Sequence, residues 1–395
     1  MRIGILIPTL YMSDKYKDMI FAPKELVLSL SDGMVARGHD VYLFTAPDVA
    51  TKAKLVAGDP KLLEDDIFDE KLKNAPVDKV KWGTFYNHKH NFELDITTKA
   101  YKMGMAKKLD IIHSYHDMAA HFFNDLTGMA TVYTLHDPIP TDPKGLAYWL
   151  YQKYSSHNYI SISNAFRNTE GKLNLNFVGT VYHGIDLNNY SFQEVPSDYL
   201  LFMGRLVPEK GLDHAIAAAL SLNMRLEIGS NFPDKDDQSD YFLEKIKPHL
   251  QNPLILEPGI VSSDNKIILY KQARTLLFPI LWEEPFGMVM VEAMACGTPV
   301  VAYARGSVPE IVQDGVTGFI VNSQDSDKRG DWIVKKTGIE GLVEAVQRLN
   351  TLSGDDYKKM RISCRKVVEE KFTVKKMVVG YEQVYQRILN LSQKS

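Results

Sequence analysis

Cysteine is the scarcest residue type in this chain. Among its 395 residues there are only two cysteines, Cys296 and Cys364. Two cysteines cannot build the disulfide framework on which small secreted proteins depend. We therefore expect the protein to work in a reducing compartment, and we predict the cytoplasm.

Long hydrophobic runs are also missing. No stretch approaches the roughly 18 uncharged apolar residues that a membrane-spanning helix requires. The apolar run Ile3–Pro8 follows Met1 and Arg2 directly and is too short for the core of a secretory signal peptide. We expect no transmembrane segment, whereas peripheral contact with a membrane stays open.

Charge of one sign is not in excess, since 46 Lys and Arg residues face 49 Asp and Glu residues and the formal net charge is -3. The chain thus lacks the basic footprint of a nucleic-acid-binding protein, and we predict no nucleic-acid partner. With 45% hydrophobic and 24% charged residues, the composition is that of an ordinary globular protein. The length exceeds what a single core normally supports and indicates two domains.

Two further absences bear on cofactors. No Gly-x-Gly-x-x-Gly fingerprint follows the first predicted strand, which continues as Pro8-Thr-Leu-Tyr11, and this disfavours a dinucleotide-dependent oxidoreductase. The Asp-x-Asp matches Asp234–Asp236 and Asp325–Asp327 lie in hydrophilic stretches, where solvated loops are expected. No carboxylate or cysteine set completes a zinc site with the histidines. We predict no metal and no cofactor. The histidines that lack such a complementary set are His88, His90, His113, His116 and His121.

Short apolar runs alternate with amphipathic stretches along the whole chain, which predicts parallel sheets and an α/β fold. Lys24–Arg37 carries Leu26, Leu30 and Met34 at four-residue steps and is predicted to be a helix. The pattern restarts after the polar segment Asp186–Ser197. Predicted strands of the first half are Ile3–Ile7, Val41–Thr45, Asp110–His113, Ala130–Leu135, Tyr159–Ser163 and Phe177–Tyr182. Those of the second half are Tyr199–Met203, Met224–Gly229, Pro253–Glu257, Thr275–Pro279, Pro299–Tyr303 and Gly318–Val321, with a helix at Leu212–Leu222.

The most informative motif is Glu284-Pro-Phe-Gly-Met-Val-Met-Val-Glu292, followed by Ala-Met-Ala-Cys-Gly-Thr-Pro-Val. Its Pro-Phe-Gly turn predicts a sharp change from strand to helix, so that the amides of Phe286, Gly287 and Met288 stand at a helix N-terminus. Glu292 would lie about 7.5 Å along the axis from Gly287. This spacing suits a ligand with two hydroxyl-rich ends and phosphates between them, which describes a nucleotide sugar.

The same motif resembles the signature of the family 4 retaining glycosyltransferases. The resemblance implies the GT-B fold, with two facing Rossmann-like domains and a C-terminal helix that crosses back to the first domain. Accordingly, we predict an acceptor-binding domain at residues 1–187 and a donor-binding domain at 188–371. The returning helix is predicted at 372–395, where Met377, Tyr381 and Tyr385 recur at four-residue steps.

A second motif, Gly204-Arg-Leu-Val-Pro-Glu-Lys-Gly211, lies between a predicted strand and a predicted helix. Its glycines permit a tight turn, Arg205 can contact two oxygens at once, and Lys210 adds a compact charge. The family places phosphate-binding residues at these positions, and the resemblance therefore assigns Arg205 and Lys210 to the donor diphosphate. The alternative is a basic surface loop that pairs with Glu209.

His136 follows the predicted strand Ala130–Leu135, where ligand-binding groups of open α/β sheets usually lie. The resemblance places it near the donor sugar and its leaving phosphate, as a catalytic residue with Glu284, Arg205 and Lys210. The alternative is a histidine bonded to loop backbone. For His113 and His116 we favour this structural interpretation.

One departure from the family concerns the loop before the first helix, which reads Ala22-Pro23 where many relatives carry two glycines. Without these glycines, we expect the backbone of the loop to approach the donor phosphate or the acceptor less closely than in those relatives. Trp82–Phe92 is predicted to be a loop, with aromatics that suit a sugar face or ordinary packing. Tyr11–Phe21 mixes lysines with apolar residues and is a weak candidate for lipid contact.

Together these features predict a metal-independent retaining glycosyltransferase. Its donor would be a nucleoside diphosphate sugar, with UDP-glucose the first choice and GDP-mannose the second. Its acceptor would be the hydroxyl of a sugar, a lipid or a small molecule. Phe286, Gly287 and Met288 would join Glu284 and Glu292 in donor binding. A glycoside phosphorylase or disaccharide synthase on the same fold stays open, as does a non-catalytic nucleotide-sugar-binding protein.

Overall fold

A computed structural model describes residues 1–13, 21, 23–63, 79–115, 118–167, 173–233, 238–257 and 263–392. The chain forms two compact units. Unit 1 comprises Met1–Ile162, Glu170–Val181 and Val374–Ser395, and unit 2 comprises Ser163–Thr169 and Tyr182–Thr373. These units are defined by packing. The limits 1–187, 188–371 and 372–395 remain a prediction about independently folding domains.

Unit 1 contains a parallel sheet of seven described strands in the order β3-β2-β1-β4-β5-β6-β7. The strands, numbered in chain order, are β1 (Arg2–Leu6), β2 (Asp40–Thr45), β3 (Lys54–Ala57), β4 (Ile111–Tyr115), β5 (Thr131–Thr134), β6 (Asn158–Ser161) and β7 (Phe177–Thr180). Its helices are α1 (Pro23–Ala36), α2 (Lys79–Met105), α3 (Ala119–Thr127), α4 (Leu146–Lys153) and the last helix of the chain, α12 (Val374–Ser392).

Unit 2 contains a second parallel sheet, with six described strands in the order β10-β9-β8-β11-β12-β13. These are β8 (Leu200–Met203), β9 (Leu226–Gly229), β10 (Ile255–Leu256), β11 (Thr275–Phe278), β12 (Val300–Tyr303) and β13 (Gly318–Val321). The helices are α5 (Asn164–Arg167), α6 (Leu212–Leu222), α7 (Ser263–Gln272), α8 (Met288–Ala295), α9 (Val308–Ile311), α10 (Gly338–Thr351) and α11 (Gly354–Lys371). Single turns occur at Leu10–Met12, Pro60–Leu63, Leu187–Asn189, Pro208–Lys210 and Lys247–His249, and a π-helical turn at Phe242–Ile246.

The strand order of both sheets is that of a Rossmann fold, in which the first strand lies inside the sheet. Every residue of β4, β5, β8, β11, β12 and β13 is buried, as expected for a parallel sheet covered on both faces. The strand order reverses between β1 and β4 and again between β8 and β11. Loops that leave such neighbouring strands run in opposite directions and open a crevice at the carboxyl ends.

The C-terminal helix α12 packs on α1 of unit 1, as predicted for a helix that returns to the first domain. At Gly33 of α1, an added Cβ would lie only 2.5 Å from Cγ2 of Val378, so glycine allows the two helices to approach. Beside this contact, Glu382 accepts hydrogen bonds from Arg37 at 2.6 Å and pairs with His39 at 2.7 Å. The apolar face of α12 is buried and consists of Met377, Val378, Tyr381, Val384, Tyr385 and Ile388.

Several predictions about local structure were wrong. Trp82–Phe92 is not a loop, because it lies within α2. The segment Asp325–Asp327 is exposed at Asp325, as predicted, but Asp327 also forms ion pairs with Arg305 and Arg329. The sequence pattern also missed β3, α10 and α11.

No helix in the described ranges is both long enough and apolar enough to span a membrane.

Candidate functional site

The predicted phosphate-binding loop and the Glu284 motif meet at the crevice of unit 2. The segment Gly204–Gly211 follows β8, and Pro279–Gly287 follows the neighbouring strand β11. The amide of Leu281 donates to the carbonyl of Glu209 at 2.8 Å. Gly211 has φ +68°, and a Cβ there would lie 2.1 Å from the carbonyl oxygen of Pro279. Glycine at this position therefore lets the two loops touch.

Lys210 and Glu284 form an ion pair in the middle of this crevice, with Nζ 2.6 Å from Oε2. The indole Nε1 of Trp282 donates to the same oxygen at 2.9 Å, and Glu284 is only 9% exposed. A buried carboxylate is costly unless it is paired, and these two donors satisfy Oε2. Within the described ranges nothing donates to Oε1 of Glu284, so this oxygen remains available to a ligand.

Arg205 lies exposed at the start of the same loop, and no carboxylate in the described part of the chain pairs with it. Lys210 pairs with Glu284 rather than with Glu209, contrary to the alternative of an isolated surface loop. The loop thus carries two cationic side chains, one exposed and one partly buried.

The turn before α8 is held in a conformation that requires glycine. Gly287 caps α8 with φ 75° and ψ 63°, in the left-handed region. The hydroxyl of Ser163 donates to the carbonyl of Pro285 at 2.7 Å, and that of Ser307 donates to the carbonyl of Phe286 at 2.7 Å. In the part of the chain that the structure describes, the amides of Phe286, Gly287 and Met288 have no acceptor. They are therefore free to donate to a ligand.

Glu292, on α8, is 7% exposed and accepts from three donors. The hydroxyl of Tyr190 donates to Oε1 at 3.2 Å and that of Tyr270 to Oε2 at 2.8 Å. Nζ of Lys266 lies 2.6 Å from Oε2. Burial and the neighbouring Glu292 raise the pKa of Tyr270 well above its usual value, so its hydroxyl keeps its proton and remains a donor. Burial likewise raises the pKa of the nearby Cys296 thiol to about 12.

A further carboxylate, Glu283, immediately precedes this motif and holds its loop in place. It pairs with Arg305 at 3.2 Å and with Arg329 at 2.7 Å, and it accepts from the amide of Gly306 at 2.8 Å. Burial opposes ionisation of Glu283, but these donors outweigh it and lower the pKa of the carboxyl group. The loop is thereby tied to the segment after β12.

His136 lies in unit 1, in the loop after β5. Its ring stacks on Tyr115, with centroids 5.2 Å apart and planes at 24°. Both residues line a cavity of about 380 Å³ at the carboxyl ends of β1, β4 and β5, the crevice of this sheet. Lys89 and Glu93 of α2 form an ion pair at its wall. The lining residues are Ile7, Pro8, Thr9, Tyr11, Phe21, Pro23, Lys89, Glu93, Tyr115, His136 and Asp137.

The other histidines have structural surroundings. His113 is fully buried, with Nδ1 2.6 Å from the Tyr385 hydroxyl and Nε2 2.7 Å from Oγ1 of Thr134. Burial, with a smaller contribution from His136, lowers the pKa of His113 well below its usual value. His88 contacts the carbonyl of Leu62, and His121 contacts His157. Across the described ranges, no group of three His, Cys, Asp or Glu side chains could hold a metal ion.

Three sequence hypotheses fall outside the described residues: His116, the pair Asp234–Asp236, and the position of Ala22 in the loop with missing glycines. Most of Tyr11–Phe21 is also outside. Sequence reasoning missed the groups that hold the two motif carboxylates, namely Tyr190, Lys266, Tyr270 and Trp282. Trp282 is two residues from Glu284, so the sequence already indicated that the two side chains could be close. The other three residues lie 22 or more positions from Glu292 in the sequence.

Comparison with known proteins identifies the family. The Glycosyltransferase Family 4 model matches residues 25–189, and the model of group 1 glycosyl transferases matches residues 191–333. An uncharacterized glycosyltransferase of Methanocaldococcus jannaschii is 25% identical over 302 residues, which are 73% of this chain and 80% of that protein.

Solved structures share the fold along the whole chain. Sucrose-phosphate synthase from Thermosynechococcus elongatus aligns with a TM-score of 0.69 at 18% identity, covering 99% of this chain and 100% of the other. The Anabaena protein Alr3699/HepE, in complex with UDP-glucose, aligns with a TM-score of 0.61 at 17% identity, covering 100% of both chains. The chain therefore belongs to the family 4 glycosyltransferases, enzymes that transfer sugars, and has the two Rossmann-like domains of the GT-B fold.

Proposed function

We propose that this enzyme moves a hexose from a nucleoside diphosphate sugar to a hydroxyl acceptor, with retention of configuration and without a metal. UDP-glucose is the first candidate donor and GDP-mannose the second. The observation that carries the proposal is the arrangement in unit 2, where Lys210 contacts Glu284. The loop of Lys210 also carries the exposed Arg205, and Glu284 lies two residues before the first of the unsatisfied amides that precede α8. We keep the cytoplasm as the predicted compartment.

In this proposal the diphosphate lies on the loop after β8. Arg205 binds two phosphate oxygens with its planar guanidinium group, and Lys210 adds a point charge. When the bond between the anomeric carbon and the diphosphate breaks, negative charge grows on the departing oxygen. Cations already in position stabilise that charge without the reorganisation that water would need.

The hexose and the ribose are assigned to the two carboxylates. Oε1 of Glu284 accepts from a sugar hydroxyl, while the amides of Phe286, Gly287 and Met288 donate to the sugar or the phosphate. Glu292 accepts from the ribose hydroxyls. The acceptor hydroxyl attacks from the face that the diphosphate leaves, and its proton passes to the departing diphosphate. Positioning and electrostatics supply most of the rate enhancement.

Unit 1 is proposed to bind the acceptor, which is a sugar, a lipid or another small molecule with a hydroxyl group. Its cavity combines aromatic walls with polar groups from Glu93, His136 and Asp137, and this mixture favours a sugar among the three. His136 is proposed to take part in the transfer by hydrogen bonding to the donor sugar or its leaving phosphate.

A thermal-shift panel tests the donor proposal. The ligands are UDP, GDP, ADP, UDP-glucose, UDP-N-acetylglucosamine, GDP-mannose and NAD, each with and without EDTA. A ligand at a hundredfold its dissociation constant stabilises a protein by about 2.7 kcal/mol, which a melting curve resolves. We expect a shift with nucleotides of one base, unchanged by EDTA.

Other outcomes of this panel would favour one of the alternative functions. A shift that EDTA abolishes contradicts metal-independent binding. Absence of any shift with a nucleotide favours a phosphorylase, which would break down an unactivated disaccharide with phosphate. Binding of a nucleotide sugar with neither transfer nor slow hydrolysis favours a non-catalytic binding protein. A shift with NAD alone contradicts the donor proposal altogether.

A further inference from the structure

The carboxylate of Glu292 has almost no capacity left for a ligand. An ionised carboxylate offers about four acceptor positions, two on each oxygen. Tyr270 and Lys266 both contact Oε2, at 2.8 and 2.6 Å, and Tyr190 contacts Oε1 at 3.2 Å. One position on Oε1 remains. A ribose that donates from both its 2′ and 3′ hydroxyls needs two positions, so one present donor must leave.

The three donors differ in how easily they can move. Tyr270 is fully buried, and its carbonyl accepts from the hydroxyl of Thr298 at 2.5 Å, so both its ring and its backbone are held. Tyr190 contacts the oxygen that still has a vacant position. Lys266 stands one turn before Tyr270 on α7, and its side chain is 32% exposed. A flexible, partly exposed ammonium group can exchange its carboxylate for water at modest cost.

We propose that Lys266 occupies a ribose-hydroxyl position on Glu292 in the nucleotide-free enzyme and leaves it when the donor binds. Lys266 thereby sets donor affinity, because each binding event must break its ion pair. Tyr270 and Tyr190 remain and hold the carboxylate in place. This inference rests on the proposed function, which assigns the ribose to Glu292.

The test replaces the ammonium group with an apolar end of similar length, Lys266→Met. Isothermal titration measures the affinity for UDP and for 2′-deoxy-UDP, with GDP and its 2′-deoxy form in parallel. We expect Lys266→Met to bind the ribonucleotide about two- to fivefold more tightly than the unaltered enzyme, the upper part of the range for a partly exposed ion pair. The gain should be smaller for the 2′-deoxy form, because only hydroxyls compete for the vacated position.

Lys271→Met is the matched control, since it makes the same change on the same helix. No ion pair of Lys271 occurs within the described ranges, so its affinities should equal those of the unaltered enzyme. A second check combines Lys266→Met with Glu292→Gln. In that background the lysine should no longer affect the preference for ribose over 2′-deoxyribose, because the shared carboxylate is gone.

Unchanged or weaker ribonucleotide binding by Lys266→Met overturns the inference, since a competitor's removal must tighten binding. An equal gain for both nucleotides also overturns it, because a general electrostatic effect would not distinguish the hydroxyl. Failure of the proposed function looks different. If the unaltered enzyme binds no nucleotide, or if Glu292→Gln retains full preference for ribose, then the ribose assignment itself is wrong and this inference is wrong with it.

Discussion

At the scale of single residues, the two carboxylates of the central motif have similar surroundings. Glu284 and Glu292 are both nearly buried, and each is paired with one lysine and with aromatic donors. Burial of either carboxylate without these partners would be energetically costly. The lysines and aromatic donors therefore let the site hold two carboxylates within a mostly apolar surrounding.

The first residue-scale prediction concerns Glu292. Glu292→Ala should weaken nucleotide binding by about one to two orders of magnitude, because hydrogen bonds between a charged group and hydroxyls are lost. Titration with the nucleotide selected by the thermal-shift panel measures the change. Glu340→Ala on α10 serves as the control, since that carboxylate is 81% exposed and pairs only with Lys336 in the described structure. Unchanged affinity of Glu292→Ala would remove the ribose assignment.

A second prediction concerns Gly306, which has φ +52° and supports the Glu284 loop. A Cβ at this position would lie 2.2 Å from the carbonyl oxygen of Glu284 and 2.5 Å from its nitrogen. Gly306→Ala should therefore displace the backbone of Glu284 and reduce sugar transfer by about a hundredfold or more, as small misplacements of catalytic groups do. Initial rates and melting curves measure the two effects.

The control for Gly306→Ala is Gly38→Ala. Gly38 also has positive φ, +83°, but nothing lies within 4 Å of an added Cβ. The Gly38→Ala variant should lose about 1 kcal/mol of stability, because alanine is disfavoured in the left-handed backbone conformation, and it should keep its transfer rate. If both variants transfer sugar at equal rates, then the transfer rate does not depend on the close approach of Gly306 to the backbone of Glu284.

At the scale of elements, the docking of α12 on α1 combines an apolar face with one charged cluster. Val378 packs against Gly33, and Glu382 beside it contacts Arg37 and His39. Arg37 contributes most to lowering the pKa of Glu382, burial opposes this change, and His39 adds a further lowering contribution. The ionised carboxylate is therefore favoured in the folded protein relative to the unfolded chain.

This lowered pKa predicts how stability depends on pH. A depressed carboxyl pKa stabilises the fold above the unfolded value, about 4.3 for Glu, and this contribution is lost as pH falls through the folded pKa. Glu382→Gln should thus cost about 1 kcal/mol at pH 7 and progressively less below about pH 4. Melting curves of both proteins across this range measure the difference. The control Glu370→Gln, an exposed residue, should show little effect at either pH. A difference that stays constant with pH would contradict the charge-based explanation.

At the scale of the whole molecule, the chain passes from one unit to the other and returns. Unit 1 contains the first and the last described helices, whereas unit 2 is formed from Ser163–Thr169 and Tyr182–Thr373. Donor binding is proposed in unit 2 and acceptor binding in unit 1. The last segment of the chain thus completes the unit that does not carry the donor residues.

A chain that ends at Thr373 tests this division. Loss of α12 exposes the apolar surface of unit 1 that the helix covers and removes the Tyr385 partner of His113. Calorimetry should show a lower melting temperature for unit 1, while nucleotide still stabilises unit 2. Val378→Asp is a milder variant with the same expectation if the shortened chain aggregates. Loss of the nucleotide response in both variants would contradict the proposed division of roles.

Strand positions could be predicted from the sequence because buried parallel strands are short continuous apolar runs. β11 and β12 illustrate this, since all their residues are apolar or small and all are buried. The edge strand β3, Lys54–Ala57, was missed because its apolar run spans only the three residues Leu55–Ala57 and none of its residues is fully buried. Trp82–Phe92 was misread because its aromatics and histidines hide the helical period of α2.

The sequence by itself determined the fold class, the family and the two motifs, because backbone turns, phosphate binding and strand burial depend on local residue types. Only the tertiary structure decided how those motifs are completed. Lys210 reaches Glu284 across 74 residues, and Tyr190 reaches Glu292 across 102. Such contacts depend on which strands become neighbours in the sheet and on how buried charges find partners. Neither is specified by any local stretch of sequence.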